Sequence, residues 1–223
     1  MKLIKKVCLI AALAGPALVL AGCAAFTTAG SSSAELDQIF AQMMKASFRD
    51  QGIAKVARLD QDAANQACSA IGVNALDKKI ADAIEDAALK AVKQPASGIY
   101  IGDWREGEKL AQNGRGMTWS DASEATTSNG GNCYNCHRIN GTELSYGTIG
   151  PSLYQYGKLR GVADPASAQS KAIVEYTWNK LYNAKAYNAC SGMPRFGHAG
   201  LMSEKQLQDL MALLLDPKSA VNQ

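Results

Sequence analysis

The feature that most constrains this chain is five residues long: Cys133-Tyr-Asn-Cys136-His137. Two cysteines at this spacing with a histidine directly behind them read as a site of covalent haem attachment. Each thiol can form a thioether to one vinyl group, and the two-residue gap matches two vinyls on one edge of the macrocycle. The histidine then comes under the iron as its proximal ligand. Two other readings compete. A thioredoxin-type redox pair wants a βαβ setting, and no β-alternation persists in this sequence. Zinc wants four N or S ligands. His198 is one candidate, but no second Cys-x-x-Cys pair accompanies it. One covalently held haem c is therefore the expected cofactor, attached through Cys133 and Cys136 and ligated by His137.

The iron's other axial position needs a ligand or stays open. Beyond the leader the candidates are His198, Met43, Met44, Met117, Met193, Met202 and Met211. Met211 sits on the apolar face of a helix and Met202 at its start, which suits core packing. Met43 and Met44 read as core or partner-facing residues. Met193 lies in the loop Cys190-Ser-Gly-Met193-Pro-Arg-Phe-Gly197. Gly192 allows close backbone approach there, and Pro194 stiffens the turn. Met193 is the expected distal ligand, with His198 as runner-up. Filling both axial positions favours electron transfer over chemistry at the iron, and a thioether raises the potential relative to a second imidazole. The second ring nitrogen of His137 needs a partner, which the Pro151 carbonyl can supply. Trp178, Tyr182 and Arg195 are candidate donors to the haem propionates, although Trp178 reads equally well as core.

The first 22 residues read as a targeting signal. Lys2, Lys5 and Lys6 precede a 15-residue apolar stretch, Val7 to Ala21, interrupted by Gly15 and Pro16. That is short for a membrane span and right for a secretory leader. It ends in Leu20-Ala21-Gly22-Cys23, which resembles the bacterial lipoprotein box and makes Cys23 the expected lipidation site. Buried lipid chains contribute ~0.8 kcal/mol per CH₂, so several would tether a soluble domain. The expected location is the periplasm, on the membrane. The formal net charge of +3 disappears with the leader, which leaves 20 basic against 20 acidic residues. No cluster of Lys and Arg argues for a nucleic-acid partner.

Six cysteines are present. Cys8 leaves with the leader, Cys23 takes lipid, and Cys133 and Cys136 take haem. Cys68 and Cys190 remain, and two leftover cysteines in an oxidising compartment are expected to pair. A free reactive thiol at Cys190 is the competing reading.

Helical periodicity runs through most of the chain. Ser32-x-x-Glu35 resembles a capping box and opens a helix with Leu36, Ile39, Phe40, Met43 and Met44 on one face. Asp60 is positioned to cap a short helix carrying Cys68. Leu76, Ile80, Ala83, Ile84 and Ala87 mark a third helix. Asp164-Pro165 reads as an N-cap pair opening a helix through Leu181. Ser203-x-x-Gln206 caps a last helix, stopped by Asp216-Pro217. The expected class is all-α: a leader over 1–22, a tether and helical extension over 23–97, and a class I cytochrome c-like haem domain over 98–223.

Four stretches together resemble one family. They are Gly130-Gly-Asn-Cys133-Tyr-Asn-Cys136-His137, Gly147-Thr-Ile-Gly150-Pro151-Ser-Leu153, Gly192-Met193-Pro-Arg-Phe-Gly197 and Leu213-Leu-Leu-Asp216-Pro. They look like SoxX, the monohaem subunit of the SoxAX cytochrome complex of bacterial thiosulfate oxidation. The likeness covers roughly residues 98–223, and the stretch around Cys68 resembles the N-terminal extension of longer members. The lipoprotein box departs from the plain secretory signal expected there. The resemblance implies a heterodimer with a SoxA-like subunit of one or two haems. That partner couples thiosulfate to a cysteine of a SoxYZ-type carrier. The present chain would relay the released electrons to a downstream cytochrome and would not itself be catalytic. A free-standing, membrane-tethered electron carrier is the alternative.

Overall fold

The computed structural model describes residues 32–72 and 74–223. The expected leader and Cys23 lie outside those residues. Among the described residues there are seven α-helices and no β-strand. The helices are α1 (Ser33–Ser47), α2 (Ala63–Ala70), α3 (Lys78–Lys90), α4 (Trp104–Gln112), α5 (Tyr156–Leu159), α6 (Lys171–Tyr182) and α7 (Glu204–Leu215). The chain divides into two compact units, Met1–Arg49 and Asp50–Gln223.

In the first unit, α1 begins at the anticipated cap, where the Ser32 hydroxyl accepts the Glu35 N–H at 3.3 Å. Its apolar stripe of Leu36, Ile39, Phe40 and Met43 is exposed, and no residue of the helix is buried. Met43 is therefore not a core residue. Helical spacing of apolar residues reports amphipathicity and is silent about what covers the face.

The second unit is organised around α7. Ser203 and Gln206 form a complete capping box: the Ser203 hydroxyl accepts the Gln206 N–H, and the Gln206 side chain accepts the Ser203 N–H at 2.9 Å. Leu207, Leu210, Met211, Leu213, Leu214 and Leu215 are all buried. Each such side chain stabilises the fold by ~1.5–3 kcal/mol relative to exposure. The helix α4 runs along α7. Its Gly107 marks the crossing, because a Cβ there would lie 2.1 Å from the Asp209 carbonyl oxygen. The buried Asp209 carboxylate accepts the Asp103 N–H at 2.7 Å, which ties the start of α4 to α7. From the other side α6 packs on α7 and buries Val174, Thr177, Trp178 and Leu181.

Two helix starts differ from expectation. The cap of α2 is Asp62, whose carboxylate accepts the Asn65 N–H at 2.8 Å, whereas Asp60 closes a 3-10 turn over Val56–Leu59. The long helix after Asp164-Pro165 begins at Lys171. Asp164 instead accepts the Ala166 N–H at 2.8 Å, and a 3-10 turn over Ala168–Ser170 intervenes. Aspartate caps turns and helices by the same hydrogen bond, so its presence alone does not distinguish them.

Residues 50–97 pack within the second unit. The α3 helix lies against the turn Ala184–Tyr187. Glu85 accepts the Ala189 N–H at 3.0 Å, and the Lys93 carbonyl accepts the indole N–H of Trp178 at 2.9 Å.

Candidate haem-binding site

Cys133 opens a 3-10 turn, Cys133–Asn135, preceded by Asn132 in the left-handed region at φ 49°. Asparagine tolerates that region better than most residues. The Cys133 carbonyl accepts two N–H groups, from Cys136 at 3.1 Å and from His137 at 2.9 Å. The five-residue motif is thereby closed on itself, and one tight turn sets both sulfurs and the imidazole.

A second segment, residues 147–151, lies against this turn. Gly147 N–H donates to the Tyr134 carbonyl at 2.8 Å and Gly150 N–H to the Cys136 carbonyl at 2.9 Å. At Gly150 a Cβ would stand 2.2 Å from His137 Cε1 and 2.5 Å from Nδ1, so only a glycine lets the backbone lie flush with the ring. The next residue completes the contact: Nδ1 of His137 lies 2.7 Å from the Pro151 carbonyl oxygen. A carbonyl can only accept, so Nδ1 carries the proton and Nε2 keeps its lone pair for a metal.

Cys133 and Cys136 are free thiols, and both are half-buried. Burial pushes the Cys133 thiol up to about 12. A thiol that far above neutrality is not poised as a thiolate ligand or redox nucleophile. Tyr134, between the two cysteines, is buried, and its hydroxyl donates to Glu108 of α4 at 2.8 Å. Burial, followed by that carboxylate, raises its phenol above the ordinary range. Arg138 lies over the rings of Tyr146 and Tyr154, and its buried Nε has no partner among the described residues. Glu108 and Arg138 escaped the sequence reading because isolated charges carry no spacing signal. The glycine before Pro151 was the one available hint of the close approach at 150.

Met193 is half-buried and packs against the same apolar core as Cys133. His198 is exposed. Cys68 and Cys190 are bonded, with their Cα atoms 5.5 Å apart. One expected cofactor contact is otherwise engaged. Trp178 is 1% exposed and its one N–H is spent on the Lys93 carbonyl, so it is a core residue and not a propionate donor. Arg195 pairs with Asp62 of the extension at 2.7 Å through Nη1. The structure thus brings Cys133, Cys136, His137 and Pro151 together and places Trp178 in the core. The donor set fits a covalently attached haem: two thiols on one turn, an imidazole of fixed tautomer and a thioether.

The cytochrome c family profile matches residues 122–216. Residues 122–216 form a cytochrome c domain. A cytochrome c domain carries covalently bound haem c and serves electron transfer, and the helical, strand-free arrangement among the described residues is consistent with an all-α, class I cytochrome c-like fold. The matched span contains Cys133, Cys136, His137, Pro151 and Met193. An uncharacterized lipoprotein of Aquifex aeolicus (strain VF5) is 35% identical over 131 residues. The alignment covers 59% of this chain and 58% of that relative, so it spans little more than half of the relative's length. Among the described residues no helix is long and apolar enough to cross a membrane.

Proposed function

We propose that Cys133 and Cys136 hold the haem through thioethers, that His137 and Met193 are its axial ligands, and that the protein is the electron-relay subunit of a SoxAX-type complex. The observation that carries the ligand assignment is the 2.7 Å contact between His137 Nδ1 and the Pro151 carbonyl. It fixes the tautomer, orients the ring and makes Nε2 a better donor. Bound haem c supplies one-electron chemistry. Met193 offers a neutral thioether, which favours the reduced state relative to a second imidazole. With both axial positions taken by protein side chains, the chain offers no open site for substrate.

The assignment to thiosulfate oxidation rests on the four motif stretches and on the helical extension that precedes them. A SoxA-like subunit would bring the active haem and a SoxYZ-type carrier the substrate cysteine, with a downstream cytochrome as acceptor. Lipidation at Cys23 would hold the complex on the periplasmic face of a membrane, and the naming of a relative as a lipoprotein supports this. The test is purification from native membranes through a C-terminal tag, followed by haem staining and a thiosulfate-coupling assay. A second haem subunit with coupling activity is the expected result. A single haem band without activity would overturn the SoxAX assignment in favour of a free-standing tethered carrier.

A further inference from the structure

Met193 sits in a segment with few ties of its own. Among the described residues, the backbone hydrogen bonds of residues 190–195 are all local. Cys190 N–H donates to Asn188 Oδ1 at 3.1 Å, Ser191 N–H to the Asn188 carbonyl at 3.0 Å, and Met193 N–H to Ser191 Oγ at 3.3 Å. The Arg195 carbonyl accepts the Ala199 N–H at 2.8 Å. Two stronger links leave the segment, one on either side of Met193. Cys190 is disulfide-bonded to Cys68, and Arg195 Nη1 pairs with Asp62 Oδ2 at 2.7 Å. Both partners belong to α2. Asp62 is its N-cap, held by the Asn65 N–H on its other oxygen, and Cys68 lies near its end. The helix has eight residues, and none of them is buried. Its contribution to the core is slight, and its distinctive contacts are these two.

We propose that α2 is a clamp for the ligand loop, with Asp62 and Cys68 as positioning residues that keep Met193 on the iron. The proposal rests on Met193 being the distal ligand. A thioether is a soft ligand and ferric iron a hard one, so Met193 competes poorly with an external imidazole unless it is held close. A tethered ligand competes through its effective concentration, which rises when its loop is restrained. Fixing the loop three residues before Met193 and two residues after it supplies that restraint. The helical extension thereby acts on the haem site without touching the haem.

The experiment uses the full-length ferric holocytochrome. Imidazole is titrated against the long-wavelength thioether-to-iron charge-transfer band, and the reduction potential is recorded. Asp62→Asn and the double variant Cys68→Ser/Cys190→Ser should each bind imidazole about tenfold more tightly than the wild type, with lower potentials. Arg195→Lys keeps a cation opposite Asp62 and should stay within about twofold of the wild type. If the cysteine variant fails to fold, Asp62→Asn decides with the disulfide intact. Ser219→Ala serves as the stability control. It removes a buried 2.6 Å hydrogen bond to the Leu213 carbonyl and should lower the melting temperature without changing imidazole affinity. Wild-type affinity in both clamp variants, or an equal shift in Ser219→Ala, would overturn the clamp while leaving the ligand assignment standing. Survival of the band in Met193→Ala would overturn both.

Discussion

Replacing Gly150 by alanine strikes the haem site where the backbone meets the His137 ring. The backbone there is not left-handed, so alanine meets no conformational penalty and the effect is steric. Its Cβ would lie 2.2 Å from His137 Cε1, while ordinary contact begins at 3.4 Å, so something must move by about 1.2 Å. Gly150 is pinned by its N–H on the Cys136 carbonyl at 2.9 Å, and the His137 backbone by its N–H on Cys133 at 2.9 Å. The imidazole is what can yield, and a shift of that size takes Nδ1 out of reach of Pro151. Overpacking of this kind costs ~1–3 kcal/mol, and the lost hydrogen bond ~0.5–1.5 kcal/mol more. For a chain of this length the sum lowers the melting temperature by roughly 5–15 °C. Loss of the orienting bond should also weaken metal ligation by roughly 10–100-fold. The assay is thermal unfolding followed at the haem absorption, together with the haem-to-protein ratio and the reduction potential. A Gly150→Ala protein that melts and titrates like the wild type would refute the claim that this contact orients His137.

Trp178→Phe should lower stability by ~1–3 kcal/mol, because the Lys93 carbonyl loses its indole donor. The haem spectrum and potential should stay unchanged, which separates a core role from a cofactor role. The Asp62 carboxyl is held below its ordinary value of 3.8 by the Asn65 N–H, with Arg195 and Lys185 adding to this and desolvation opposing it. A depressed carboxyl contributes stability above its unfolded value and loses it as pH falls through the folded one. Wild type and Asp62→Asn should therefore differ in melting temperature by a constant amount above about pH 5, and the gap should close on acidification below the ordinary carboxyl range.

What could be read from the sequence was local. The Cys133–His137 turn and the Ser203–Gln206 box are complete within five and four residues, so spacing alone reveals them. Asp60 and Asp164 show the limit of that method: both make caps, but of a 3-10 turn and an open turn, because aspartate hydrogen-bonds in the same way in each. Trp178 illustrates a second limit. Whether an indole donates to a cofactor or to a carbonyl 85 positions away is decided by tertiary packing. The stripe on α1 was visible and its exposure was not, since periodicity names a face without naming its cover. Gly150 and Arg138 act through close approach across loops, where no periodic signal exists.

The disulfide also bears on how the chain must mature. Closing a ring over 122 positions costs more chain entropy than closing one over three, by about 3 kcal/mol. An open chain exported with free thiols therefore favours the short ring between Cys133 and Cys136, which occupies both haem-attachment sulfurs. Under the proposed attachment, thioether formation would remove those two sulfurs from thiol exchange and leave Cys68 and Cys190 with only each other. Haem attachment ahead of oxidation would then favour the long bridge over mispaired alternatives.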